Sequence, residues 1–322
     1  MVNLADVLKA RQRLGNLVRR TPLQYSYPLS QLLGGEIYLK LECWQKTGSF
    51  KVRGALNKMA SLSEEEKARG AVAVSSGNFA LGVAYAARAM GDVPLDLFMP
   101  VGTPRAKVDK LQEFPVRIFL EGNSFDEAYD ISREFERKYN KTFIHPMNDP
   151  LVIAGQGTLG LEIMEDLPDV DMLLVPVGGG GLISGVAVAA KALNPDVKII
   201  GVQVEASPSA YLSLKEGRCY ERYDYAPTIA EGLAGGFGLL PFQIVRDLLE
   251  EIVLVSEEEM YRAIYTLLET SQIVVEGSGA VGLAAMLSGK VNAQGRKVAV
   301  VLSGGNIDAS LLVKIAEAAA RR

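Results

Sequence analysis

Histidine is almost missing from this chain: of its 322 residues only His145 carries an imidazole, and Pro146 follows it at once. A Ser–His or Cys–His nucleophile pair, or a His-based metal site, would have to rest on that one residue. Its setting reads instead as a strand-to-loop corner. Cysteine is nearly as scarce. Cys43 and Cys219 are too few for a disulfide framework and lack metal-ligand spacing, which fits a reducing cytoplasm. Neither charge sign dominates: 34 Lys+Arg stand against 38 Asp+Glu, so no nucleic acid or anionic membrane is expected as a partner. Long apolar runs are missing too. The longest uncharged stretch, Met172 to Ala190, is broken by Pro176 and five glycines and reads as strand, loop and buried helix rather than a membrane span. Asp6, Lys9, Arg11 and Arg13 interrupt any apolar start, so no signal peptide is expected.

What remains is a chain with 48% hydrophobic residues, enough for a large core and two lobes. Strand-like runs alternate with helical patterns at 36–42, 71–75, 94–100, 116–121, 142–145, 172–178, 197–204, 251–255 and 297–302. Several are continuously apolar, as parallel strands buried on both faces are. Capping boxes are expected at Ser63…Glu66, Ser124…Glu127 and Ser256…Glu259. The expectation is an α/β protein with two open parallel-sheet lobes. Residues 70–147 hold four strands, enough for a small mobile domain, and 1–69 plus 148–322 form the larger one. Ligands of open α/β sheets bind at the carboxyl ends of strands, so chemistry is sought in the loops that follow them.

Five stretches answer that search. Thr47–Ala55 follows the strand at 36–42 and opens a helix over 49–59 with Ser49 as its N-cap. Lys51 then falls in the first turn, where the helix dipole disfavours a cation; a buried amine with a lowered pKa becomes a nucleophile. Gly178–Gly181 and Leu182 lie between a strand and the helix 183–193. Four glycines and a helix N-terminus make a phosphate cradle, without dinucleotide or nucleoside-triphosphate spacing. Ser75-Ser76-Gly77-Asn78 offers hydroxyl and amide donors at another helix start, suited to a carboxylate and a polar ring substituent. Ser303-Gly304-Gly305-Asn306 follows the last strand, where a hydroxyl can meet a ring nitrogen. Glu276 heads the fourth glycine-rich loop, Glu276–Gly279, and reads as a loop carboxylate rather than a catalytic one. A lysine nucleophile, a phosphate cradle and groups fitted to a substituted ring point to pyridoxal 5′-phosphate as cofactor.

Ser49–Ala55, Ser75–Asn78, Gly178–Leu182 and Ser303–Asn306 occur in the order seen in fold-type II pyridoxal-phosphate enzymes. The chain resembles their threonine/serine dehydratase and serine racemase branch from Thr21-Pro22-Leu23 to Asn306. Lys51-Val52-Arg53 is similar to the dehydratases, whereas cysteine-synthase-like members carry Lys-Asp-Arg, and Gly155–Glu162 around Thr158 also resembles that branch. The resemblance implies that Lys51 carries the cofactor as a Schiff base and Phe50 packs beside the ring. Asn78 would meet the ring 3′-hydroxyl, Gly178 to Leu182 the phosphate, and Ser303 the pyridine nitrogen. Ser75, Ser76 and Gly77 would receive the substrate carboxylate. Ser76 has a second role open to it, as acid/base on the face opposite Lys51, as in racemising relatives.

Two departures stand out. Phe79 occupies a position where the family usually has histidine, and Gln203–Ser209 contains the single acid Glu205, so no metal is expected. The implied activity is β-elimination of L-threonine or L-serine to a 2-oxo acid and ammonia. Serine racemisation, or dehydration of another β-hydroxy amino acid such as hydroxyaspartate, is the alternative. A homodimer is implied. Sixteen residues follow Asn306 and read as one helix, 307–320, so no regulatory domain or isoleucine feedback is expected.

Overall fold

A computed structural model describes residues 1–320. Ten strands form two sheets: β1 (Leu23–Tyr25), β2 (Glu36–Lys40), β3 (Ala71–Val74), β4 (Leu95–Met99), β5 (Val116–Leu120), β6 (Thr142–Phe143), β7 (Met172–Pro176), β8 (Lys198–Val204), β9 (Glu251–Val255) and β10 (Lys297–Val301). One sheet has the order β1-β2-β10-β7-β8-β9 and the other β5-β4-β3-β6. Neighbours are parallel except β1, which runs antiparallel to β2. All nine expected strands are present. β1 has no counterpart in the sequence reading, being three partly exposed residues.

Alternation along β7 explains the apolar runs. Met172 and Leu174 face one core with Ile200, Val202, Val298 and Val300, beneath the helices Glu257–Ser271 and Gly277–Leu287. Leu173 and Val175 face a second core with Ile199, Ala299 and Val301, beneath Pro150–Asp166 and Gly181–Leu193. With both faces covered, period two no longer shows as alternating polarity. The smaller sheet is likewise covered on both sides, with Ala71, Ala73, Leu95 and Leu97 in one cluster and Val72, Val74 and Phe98 in another.

The helix Lys51–Ala60 sits where the sheets meet. Val52, Ala55, Leu56 and Met59 join the cluster of the smaller sheet. Arg53, on another face, is fully buried in an ion network with the larger lobe. Its Nε and Nη2 both donate to Glu42 at 2.8 Å, and Nη1 donates to Glu162 at 2.6 Å and to Thr158 at 3.1 Å. Lys40 Nζ completes the set on Glu162 at 2.6 Å. Two cations and two anions cancel, which is the condition for holding charge out of water.

Two local expectations need correction. Ser49 does not cap the helix: it is extended at φ −161° and ψ 162° and bridges Gly304, and the helix begins at Lys51 with no side-chain cap. A β-type pairing with a loop far along the chain overrides the local capping rule. Ser63 and Ser256 form their reciprocal capping boxes, but at Ser124 only half forms, because Glu127 Oε2 turns to Asn123.

Candidate active site

Sheet order brings the expected loops together. β2, β10 and β7 are adjacent and parallel, so the segments leaving their carboxyl ends, 41–50, 302–306 and 177–181, lie side by side. Backbone bonds join the first two: Phe50 N donates to Ser303 O at 3.1 Å and Gly305 N to Gly48 O at 2.9 Å. The third is reached in steps. Ser303 Oγ donates to Ser278 O at 3.3 Å, Ser278 Oγ accepts from Gly232 N at 3.1 Å, and a Cβ on Gly178 would lie 2.8 Å from Gly232 O. Phe50 shares a core with Val177, Leu182 and Phe237, which flank the glycines.

Lys51 opens its helix with its amine 5.0 Å from the ring centre of Phe50 and 6.0 Å from that of Phe79. Burial pulls its pKa down from the ordinary 10.5 to about 8, and the Glu276 carboxylate partly opposes this. The amine makes no hydrogen bond or ion pair among the described residues. An amine whose pKa is lowered this far, flanked by two aromatic rings, has a neutral fraction able to act as nucleophile and base. Gly82 brings the helix Asn78–Ala89 against this turn, because any Cβ there would stand 3.1 Å from Val52 N.

The glycine loop is a cradle by exclusion. A Cβ on Gly179 would lie 2.8 Å from Met147 Cε, and one on Gly180, whose φ is +92°, would run into Phe237 and lie 2.6 Å from Pro241 Cβ. No backbone N–H from Gly178 to Ile183 donates to another group among the described residues, and Ser184 N is the first to bond within the helix. Glycines packed tightly behind and free N–H groups in front suit an anion the size of phosphate. Met147 is held there by His145, whose Nδ1 accepts from Met147 N at 3.2 Å and Asn148 N at 2.9 Å. His145 thus sits at a strand-to-loop corner.

Ser75, Ser76 and Gly77 follow β3 at the start of the helix Asn78–Ala89. Gly77 N donates to Ser75 Oγ at 3.2 Å. Ser76 is half-buried, and its hydroxyl has no partner among the described residues. Asn78 is committed on both sides of its amide: Nδ2 donates to Glu276 Oε1 at 2.7 Å, and Oδ1 accepts from Asn306 Nδ2 at 2.7 Å.

Glu276 is a loop carboxylate, as the sequence suggests, and the fold gives it partners the sequence does not show. It precedes the helix Gly277–Leu287, whose first turn takes up the expected loop, and it meets Asn78. Burial pushes its carboxyl up to about 7, against the hydrogen bonds from Asn78 and the Asn306 backbone and the charge of Lys51. Asn78 lies 198 positions away, beyond any local pattern. Glu276 as a polar group inside a glycine-rich segment is the one hint the sequence offers.

Residues 14–304 match the family model described as pyridoxal-phosphate dependent enzyme. The L-threonine ammonia-lyase of Thermotoga maritima is 54% identical over 98% of this chain and 78% of that protein. A threonine deaminase from T.th. superposes with a TM-score of 0.88 at 39% identity, covering 95% of this chain and 99% of the other. Maize serine racemase superposes with a TM-score of 0.91 at 33% identity, covering 99% and 98%. The two-lobed α/β architecture is that of fold type II, and the chain belongs to the pyridoxal-phosphate dependent enzymes.

Proposed function

We propose that this chain is an ammonia-lyase that eliminates the β-hydroxyl of L-threonine or L-serine. The observation that carries it is the Lys51 amine, with its pKa lowered to about 8 between Phe50 and Phe79, in a chain 54% identical to an L-threonine ammonia-lyase. Pyridoxal phosphate fits the residues present. The free N–H groups from Gly178 to Leu182 would hold its phosphate. Asn78 would meet the ring 3′-oxygen and Ser303 the ring nitrogen, exchanging its long 3.3 Å bond to Ser278 O. A serine hydroxyl cannot keep that nitrogen protonated as an aspartate would, which suits elimination better than transamination.

When bound, the cofactor supplies the electron sink that acidifies the substrate α-carbon. The chain supplies the rest. Ser75, Ser76 and the first turn of the helix Asn78–Ala89 hold the carboxylate, which fixes the substrate's rotation about its Cα–N bond. Lys51 Nζ, neutral once relieved of its attachment, accepts the α-proton. The β-hydroxyl departs as water, taking up one proton to balance the one Lys51 accepted, and addition of water to the unsaturated product frees ammonia and the 2-oxo acid. Phe79 and Phe50 keep bulk water from the amine.

The roles follow as proposed for each residue: Lys51 catalytic, Gly178 to Leu182, Asn78, Phe50 and Ser303 for the cofactor, and Ser75, Ser76 and Gly77 for the substrate. Residues 70–147 would form a small lobe that closes on the larger one (1–69 with 148–322). Ion pairs Lys107–Glu231 and Arg222–Asp130 already span the two. A homodimer in the cytoplasm is the further expectation. No helix among the described residues is long and apolar enough to cross a membrane.

One observation favours a second reading. The Ser76 hydroxyl has no partner among the described residues, and maize serine racemase shares the fold at a TM-score of 0.91. With Ser76 as the opposite acid/base, L-serine would be racemised. Incubation with L-threonine and L-serine, following 2-oxo acid, ammonia and D-serine together, separates the two. Equimolar 2-oxo acid and ammonia is expected, and D-serine without oxo acid would contradict the lyase assignment.

A further inference from the structure

Glu276 ends a chain of groups that begins at the Thr47 carbonyl. A carbonyl only accepts, so Asn306 must turn Nδ2 toward it, at 2.9 Å. The same Nδ2 also donates to Asn78 Oδ1 at 2.7 Å, which leaves the Asn78 nitrogen facing Glu276 Oε1 at 2.7 Å. The oxygen and nitrogen ends of an amide are nearly alike in shape, and their partners decide which end points where. Here a carbonyl at one end and a carboxylate at the other admit one orientation for both amides. The placement is tight: a Cβ on Gly304 would lie 2.5 Å from Glu276 Oε1, and one on Gly48 would lie 2.6 Å from Asn306 Oδ1.

We propose that Glu276 is the positioning residue that makes Asn78 a hydrogen-bond donor toward the cofactor's ring 3′-oxygen. This deepens the pyridoxal-phosphate reading of the site and rests on it. Asn78 Nδ2 has two hydrogens; the carboxylate takes one and fixes the other for the ring. A protonated Glu276 can itself donate, and then no longer dictates which end of Asn78 faces it. The charged or titratable groups facing Glu276 are Lys51, which favours its ionised form, and Glu231, which opposes it. Cys43 lies nearby but is held neutral, its thiol pushed up to about 12 by burial. Burial places the Glu276 carboxyl itself at about 7, so the constraint is full above neutral pH and weakened below it, where Asn306 alone still orients Asn78.

The test is the dissociation constant of pyridoxal phosphate, read from its visible absorption between about pH 5.5 and 8.5, on either side of the carboxyl's own titration, for the full chain and for Glu276→Gln. Glutamine is neutral throughout and accepts or donates equally well. At about pH 8 the variant is expected to bind on the order of tenfold more weakly, the loss that follows from a hydrogen bond to a charged group. The ratio of variant to wild type should fall toward one at the acid end of the range. Taking the ratio removes the titration of the phosphate, which both proteins share, and repeating it in a Lys51→Ala background removes that of the amine, whose pKa the Glu276 charge raises. A ratio near one at the alkaline end, or a loss constant across the range, overturns the proposal. Asn306→Ala removes the other anchor and serves if Glu276→Gln does not fold. It should also weaken binding, and unchanged affinity contradicts the chain of constraints. Wild type that binds no cofactor would instead sink the reading of the site and leave Glu276 aside.

Discussion

Lys51 and His145 show the same force with different ends. Each is a base whose pKa burial lowers, because an apolar setting disfavours the charged form. For Lys51 the outcome, about 8, gives a usable population of neutral amine at physiological pH. For His145 the outcome is about 4, opposed by Asp149 and reinforced by Arg133, and the ring stays neutral with Nδ1 accepting from two backbone N–H groups. The sign for stability follows. Between about 4 and 6.5 the unfolded chain binds the proton and the folded one does not, so His145 makes stability rise with pH through that window. Because the chain has one histidine, the proton on its imidazole Cε1 should give a single NMR signal that stays put from about pH 8 to 5, a range that spans the ordinary imidazole titration. Titration near the ordinary value of 6.5 would contradict the burial.

At the scale of elements, two substitutions probe what holds the site. Gly180→Ala forces a left-handed conformation on alanine, about 1–2 kcal/mol. It also drives a methyl into Phe237 and Pro241, roughly another 1–3 kcal/mol. Denaturant unfolding should show the loss, and retained phosphate binding is not expected once the loop shifts. Arg53→Met leaves Glu42 fully buried without its bidentate partner and Glu162 with Lys40 alone. Removing one partner of a buried network costs about 3–5 kcal/mol. A drop below about 1 kcal/mol, the range of exposed pairs, would show that water reaches the cluster. These elements also show what sequence can convey. Continuous apolar runs reveal β7 and β10 because both faces are covered, and Gly178–Gly181 reveals the cradle because nothing but glycine fits there. β1 is hard to see because three partly exposed residues carry no periodicity. The true start of the Lys51 helix is hidden because Ser49 obeys Gly304, not its neighbours. Glu276 is illegible for the same reason: its meaning comes from Asn78 and Lys51, which the fold alone brings to it.

For the molecule as a whole, the account depends on the larger sheet's order. Three adjacent parallel strands deliver Lys51, Ser303 and the glycine loop to one edge, and the smaller sheet delivers Ser75 to Asn78 against them. The most direct measurement is borohydride reduction of the chain incubated with pyridoxal phosphate, followed by peptide mass spectrometry. The account predicts one phosphopyridoxyl adduct, on Lys51, and none in Lys51→Ala. An adduct elsewhere, or none at all, would contradict it.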